Sequence, residues 1–187
     1  MSDVRVTERS VLFWGGWPSQ WFKCRFEIDR VAYNCCEQFM MVEKARVFED
    51  AEVERKVLTV NSPREQKALG RTVRGFSEKD WNSVCRGIVY RANLAKFSQS
   101  SELRGVLLET GNRTIIEASP KDFIWGIGLG QDDPRAEDPA QWQGTNWLGV
   151  ALMQVRNELR RQVGESAQPV EGWLEEQLRA REGMAKG

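Results

Sequence analysis

Behind Ser77-Glu78-Lys79-Asp80, the residues Trp81, Val84, Cys85, Ile88, Ala92 and Ala95 recur at helical spacing. A stripe of this kind predicts a helix that needs a second layer to bury it. Ser77 supplies the cap at its start. Two further starts precede it. Asn34-Cys35-Cys36-Glu37 places Asn34 as N-cap and Glu37 at the third helical position, opening a helix to about Phe48 with Phe39, Met40, Ala45 and Val47 as packing residues. Ser62-Pro63-Arg64-Glu65 combines a cap, a first-position proline and a capping-box glutamate, and Gly70 ends the helix. A last core helix is expected over 147–163.

The remaining signals are of strands and loops. Residues 1–10 read as loose, and 12–21 as aromatic and turn-rich. Phe22, Cys24, Phe26 and Ile28 alternate as in a half-buried strand, and Val31 to Tyr33 return after a turn at Asp29-Arg30. Val106–Glu109 and Thr114–Ala118 read as a hairpin around Thr110-Gly111-Asn112-Arg113. Residues 132–143 form a polar loop. The mixture is α+β, a helix-rich single domain over 1–163 with a small antiparallel sheet or hairpins. Residues 164–187 read as a linker and a short charged helix.

Composition narrows the chemistry. The 187 residues contain no histidine, which excludes a Ser-His-Asp triad, a Cys-His pair and every histidine-dependent zinc site. No clustered ligands suggest a metal, and nothing suggests a cofactor. Twenty-seven basic side chains balance 27 acidic ones, so overall charge gives no reason to expect tight non-specific binding to nucleic acid. The four cysteines show no paired spacing, no apolar run approaches a membrane span, and the N-terminus does not read as a signal peptide. These features lead to the expectation of a cytoplasmic protein with reduced thiols and no membrane association.

Carboxylates, amines, amides and aromatics therefore remain as the reactive inventory. Glu37 fits two readings: a capping-box carboxylate, or a carboxylate held rigidly at a helix start with an oxygen facing a cleft. Lys44 lies seven residues on, on about the same helical face, with Met41 between them, and is otherwise a solvated surface lysine. A carboxylate and an ammonium converging on one pocket suit a sugar phosphate. Asp122 precedes a glycine loop, Trp125-Gly126-Ile127-Gly128, that departs from the dinucleotide fingerprint. Asp122 fits a turn residue, whereas a loop poor in side chains beside Trp125 would let a ligand approach the backbone. Asn146 fits an N-cap of the last helix. Eight tryptophans offer stacking faces, although most tryptophans are core.

Read in order, the segments resemble the YbiA-like, or NADAR, family over residues 12–162. The resemblance rests on Ser19-Gln20-Trp21, Glu37-Gln38-Phe39-Met40-Met41-Val42-Glu43-Lys44-Ala45, Ser62-Pro63 and Leu69-Gly70-Arg71. It continues through Trp81, Lys96-Phe97, Thr110-Gly111, Glu117 and Asp122-x-x-Trp125-Gly126-x-Gly128, and closes with Gly144-x-Asn146-x-Leu148-Gly149-x-x-Leu152-Met153-x-x-Arg156. Each piece is unspecific, and the ordered series is what makes the match.

The resemblance implies hydrolysis of an N-glycosidic bond without a cofactor. One branch of the family acts on early riboflavin intermediates, releasing ribose 5-phosphate; another removes ADP-ribose from guanine in nucleic acid. Gln20, Gln38 and Met41 depart from the Asn, His and Gln usual in the first branch, so the substrate can differ. By resemblance, Glu37 and Asp122 would divide the carboxyl roles, and Lys44 would bind phosphate or attack the anomeric carbon. Arg71 would bind phosphate, Trp81 or Trp125 would stack the base, and Gln20, Trp21, Gly126 and Asn146 would complete the substrate contacts. The expected partner is a small ribosyl phosphate or ADP-ribose conjugate, or ADP-ribosylated nucleic acid. The competing classes are a module that binds ADP-ribose or NAD without cutting it, and a partner-binding protein that docks through its charged tail.

Overall fold

The computed structural model describes residues 3–164. Its elements run in the order β1 (Val4–Val6), β2 (Ser10–Phe13), β3 (Phe26–Ile28), β4 (Val31–Tyr33), α1 (Cys36–Val47), α2 (Ala51–Thr59), α3 (Pro63–Gly70), α4 (Glu78–Gln99), α5 (Ser101–Glu109), β5 (Thr114–Glu117) and α6 (Trp147–Gln162). This is an α+β fold with helices dominant. Two compact units are present, one of residues 3–19 and 105–164, the other of residues 20–104. The linker and terminal helix expected over 164–187 lie, apart from Gly164, outside the described residues.

In the first unit a three-stranded sheet has the order β1-β2-β5. Residues 4–6, read as loose, pair antiparallel with β2, with Val4 opposite Phe13 and Val6 opposite Val11. Strand β5 runs parallel to β2, with Leu12 opposite Ile116, so the sheet is mixed and not antiparallel. The hairpin expected over 106–118 is therefore replaced by a helix leading into a parallel strand. Leu103 and Leu107, four apart, are the buried residues of α5, as helical rather than alternating geometry requires. The expected turn at Thr110–Arg113 is present as the helix stop: Thr110 Oγ1 donates to the Leu107 carbonyl at 2.6 Å, and Gly111 takes φ 60°.

Helix α6 packs on β5 and closes this unit. Leu12, Ile116, Ala118, Ile127, Leu129, Ala136 and Trp142 form a continuous core. A Cβ on Gly149 would run into the Ile115 carbonyl, so only glycine lets α6 approach the strand this closely. Arg156 and Arg160, both buried, point guanidinium groups at the 110–113 turn. Arg156 Nη1 donates to Thr110 Oγ1 at 2.7 Å and to the Arg113 carbonyl at 2.9 Å. Burial, and then the Arg160 charge, brings the Arg156 pKa down to about 10.

In the second unit α1 is the hub, contacting α2, α3, α4 and β4. Its N-terminal half is buried all round, from Cys36 to Val42. Val47, expected to pack, is exposed. The strand expected over 22–28 is confined to Phe26–Ile28, antiparallel to β4, but burial still alternates back to Phe22. Helix α2, which no sequence signal singled out, starts at Asp50, whose Oδ1 accepts from the Val53 N–H, and buries only Val53 and Val57. Ser62 and Ser77 cap α3 and α4 as expected, accepting from the Glu65 and Asp80 amides.

Candidate active site

The start of α1 is built from buried amides. The helix begins one residue later than the sequence indicated: Cys35, in extended conformation, is the N-cap and makes no side-chain cap bond. Gln38, not Glu37, then occupies the third helical position, and its Oε1 accepts the Asn34 N–H at 2.8 Å. The Gln38 Nε2 donates to the Val57 carbonyl at 3.1 Å, tying α1 to the end of α2. Gln66, fully buried on α3, donates to Asn34 Oδ1 at 3.0 Å and to the Val60 carbonyl at 2.8 Å. Asn34 is thus a bridge among loops and no cap, because its amide is engaged by Val60, Asn61 and Gln66.

The one-residue shift takes Glu37 out of the capping box. Its backbone N–H donates to the Gln20 carbonyl at 3.0 Å, and the residue is only 5% exposed. Seven residues further along α1, a rise of about 10 Å and close to two full turns, comes Lys44. Its ammonium sits 4.2 Å from the centroid of the Phe76 ring and 5.8 Å from that of Trp81. Partial burial there, and then the Arg71 charge, lowers the Lys44 pKa below the usual lysine value. Arg71 caps the end of α3 and is exposed. Between Glu37 and Lys44, Met41 lies across Gly70, where any Cβ would meet its thioether.

The aromatic residues of this unit differ in accessibility. Trp81 is almost buried on α4, Phe76 is 46% exposed, and Trp21 is 43% exposed with the Lys67 ammonium 5.8 Å from its ring. Gln20 is buried. Its Oε1 accepts from Asn93 Nδ2 at 2.9 Å, and its Nε2 donates to the Met40 sulfur at 3.7 Å. The unit therefore brings together Lys44, Arg71 and Trp81, with Glu37 two turns away on the same helix and the side chain of Gln20 engaged by the protein.

The other unit holds the remaining candidates. Asp122 Oδ1 accepts the amides of Ile124 at 3.0 Å and Trp125 at 2.7 Å, an Asx turn that shapes the loop. Gly126 is buried, and a Cβ there would press on the Glu117 and Asp122 carbonyls, so its close backbone approach is to protein. Trp125 is half-buried, edge-on to Trp147 with centroids 5.8 Å apart. Asn146 occupies the N-cap position of α6 in left-handed conformation, φ 53°, but its side chain makes no cap bond. Its Oδ1 accepts the Glu117 amide at 2.9 Å and its Nδ2 donates to the Ile115 carbonyl at 2.9 Å, extending the hydrogen bonding of β5. The carbonyls of Ile124 and Trp125 take the first two amides of α6, those of Trp147 and Leu148, and the Gly126 carbonyl takes that of Asn146.

Two residues of the second unit were given no role by the sequence, Phe76 and Lys96, the latter named only within the family's Lys96-Phe97 motif. Phe76, which no motif marks, carries the closest ring contact of Lys44. Lys96 is 1% exposed, its ammonium 5.3 Å from the Phe22 ring and 5.0 Å from that of Phe97. Burial pushes its pKa down, opposed by the thiols of Cys36, Cys24 and Cys35. The available signal was a lysine four residues after Ala92 on a buried stripe. The four cysteines are free. Burial pushes the Cys35 thiol up to about 11 and raises Cys36, Cys24 and Cys85 as well, the opposite of an activated nucleophile. Among the described residues no helix is long and apolar enough to cross a membrane, and no group of three or more Cys, Asp or Glu could hold a metal ion.

The chain is 42% identical over 129 residues to protein irg-1 of Caenorhabditis elegans, covering 68% of this chain and 61% of that one, and so spans less than two thirds of that relative. It is 41% identical over 145 residues to an N-glycosidase of Acanthamoeba polyphaga mimivirus, covering 75% of this chain and 85% of the relative. The chloroplastic riboflavin biosynthesis protein PYRR of Zea mays is 35% identical over 63% of this chain and 18% of its own length. The NMR structure of the Escherichia coli protein YbiA shares the fold, with a TM-score of 0.71 at 24% identity over 89% of this chain and 94% of that one. The NADAR domain matches residues 12–160, and the chain belongs to that family.

Proposed function

We propose that this chain is an N-glycosidase that hydrolyses the C–N bond between a base or amino group and a ribose phosphate, acting in the cytoplasm through the face of α1 that carries Glu37 and Lys44. The observation that carries the reading is that α1 holds a buried glutamate at its start and, two turns on, an ammonium whose proton affinity is lowered by burial and by the neighbouring Arg71 charge. Support for the activity comes from relatives named N-glycosidases. Support for a riboflavin intermediate as substrate comes from the maize relative.

Cleavage of a ribosyl C–N bond develops positive charge on the anomeric carbon and ring oxygen, and negative charge on the leaving nitrogen. Glu37 stabilises the first or activates the attacking water. Its buried backbone, tied by the Glu37 N–H to the Gln20 carbonyl, gives the side chain a rigid base for that task. Arg71 offers fixed charge for the phosphate, and the rings of Phe76 and Trp81 flank the Lys44 ammonium.

The lowered proton affinity of Lys44 favours a second route. Its neutral amine adds to the anomeric carbon of a ring-opened ribosylamine; the C–N bond to the base breaks, and the base leaves with a proton. Water then hydrolyses the lysine imine to release the sugar phosphate.

The test is chromatographic. The pure protein is incubated with ribosylaminopyrimidine 5′-phosphate and, separately, with an oligonucleotide carrying ADP-ribosylated guanine. Release of base and ribose phosphate from the first is the expected result, and release of ADP-ribose from the second would transfer the reading to that conjugate. Saturable binding of ADP-ribose without cleavage of either substrate would replace the enzyme by a binding module. Borohydride quenching during turnover decides the route: a mass adduct on Lys44 is expected for the imine, and its absence leaves direct hydrolysis.

A further inference from the structure

Asn93 stands out among the buried groups that the mechanism does not use. It is fully buried in the C-terminal half of α4, among Cys85, Ile88, Val89, Ala92, Lys96 and Phe97. An amide in such a place is costly unless its bonds are made. Here they are made, one within α4 and two toward the start of α1. Asn93 Nδ2 donates to Gln20 Oε1 at 2.9 Å and to the Val89 carbonyl at 2.9 Å, and Oδ1 accepts from the Cys36 thiol at 3.7 Å. Gln20 in turn holds α1 twice. Its carbonyl accepts the Glu37 N–H at 3.0 Å, and its Nε2 donates to the Met40 sulfur at 3.7 Å.

We propose that Asn93 is a positioning residue for Glu37, fixing the carboxylate through Gln20 and Cys36. The inference rests on the N-glycosidase reading for its catalytic consequence, and on geometry alone for the coupling itself. One amide grips both the residue preceding Glu37 and the residue whose carbonyl holds the Glu37 N–H. The first turn of α1 is thereby referenced to α4, the longest helix of the unit, rather than to a loop. Loss of this reference frees the carboxylate to move by a fraction of an ångström to an ångström, and a displacement of ~1 Å can cost roughly 100-fold in rate.

The experiment compares Asn93→Leu, Gln20→Leu and the double variant with wild type by amide hydrogen exchange and by steady-state kinetics. In Asn93→Leu the Glu37 amide should exchange at least ~10-fold faster relative to the Val42 amide of the same helix, a local opening and not a global one. On whichever of the two substrates above wild type cleaves, kcat should fall ~10- to 100-fold with KM within about threefold, the pattern of a misplaced reacting group. The double variant leaves no orphaned amide at this pair, so it should regain thermal stability over Asn93→Leu while Glu37 exchange stays fast and kcat stays low. Recovery of kcat together with stability would overturn the proposal, as would uniform acceleration of all α1 amides. If wild type cleaves neither substrate, the N-glycosidase reading falls, while selective exchange at Glu37 would still uphold the coupling. Should Asn93→Leu fail to fold, Gln20→Leu breaks the same bond from its other end and must give the same selective exchange, or the proposal is refuted.

Discussion

Replacing Asn146 by alanine removes three things that can be separately sized. The Ile115 carbonyl is buried, and losing its donor costs about 1–3 kcal/mol for an orphaned acceptor. The Glu117 amide is only partly buried, so water recovers part of its loss and about 0.5–1.5 kcal/mol is appropriate. A left-handed conformation that asparagine tolerates costs alanine about 1–2 kcal/mol. Together these give about 2.5–6.5 kcal/mol, a large share of the ~5–15 kcal/mol that holds a domain of this kind together. Urea unfolding followed by tryptophan fluorescence measures the loss. Asn146→Gly, which removes the bonds but not the conformational freedom, should recover about 1 kcal/mol of it. A loss below about 1 kcal/mol in Asn146→Ala would refute the argument that this side chain extends β5, and would return Asn146 to the substrate contacts.

Lys44 should react with acetic anhydride faster than the exposed lysines at pH 8, read by peptide mass spectrometry, because its lowered pKa leaves more free amine. Arg71→Met removes a like charge, so the pKa of Lys44 should rise and its labelling slow. Gly149→Ala should lose ~3 kcal/mol or more, or fail to fold, because the clash is with backbone, whereas Gly87→Ala, with open space around it in α4, should gain about 0.5–1 kcal/mol; thermal unfolding distinguishes them. The Asp50 carboxyl accepts from the Arg74 amide and guanidinium, which hold its pKa well below the ordinary 3.8. The unfolded chain binds the proton more readily, so this stabilisation is complete above the ordinary carboxylate range and is lost as pH falls through and below it. Arg74→Met should therefore shift the acid-unfolding midpoint, followed by circular dichroism, to higher pH.

Periodicity was strong enough to reveal the helices whose buried stripe is wide or whose cap is explicit. The α4 stripe from Trp81 to Ala95, apart from Val84, which is exposed, the Ser62-Pro63 start of α3 and the extent of the final helix all followed from local rules that the tertiary structure upholds. Helix α2 escaped because two valines in a charged segment make a narrow stripe. Residues 106–109 misled because four consecutive residues cannot distinguish a strand from the last turn of a helix whose other buried residue, Leu103, lies upstream. The order of the motifs pointed to the family, and spacing on α1 related Glu37 to Lys44. The buried amides around them were not legible, because Gln20, Asn34, Gln66 and Asn93 meet only through contacts between distant parts of the chain. The same limit concealed the role of Asn146, whose side chain bonds the distant β5, whereas the Asx turn of Asp122 is local and was one of the two readings its position offered.

The most direct test of the central claim is the turnover rate of Glu37→Gln beside wild type on the substrate that wild type cleaves, with folding checked by circular dichroism. Glutamine preserves the backbone bond to Gln20 and nearly all of the side-chain shape, so the change isolates the charge. A fall of at least ~100-fold in kcat with the fold intact is the predicted result. Activity within threefold of wild type would mean that the carboxylate of Glu37 takes no part in breaking the C–N bond, and the site would have to be sought elsewhere in the chain.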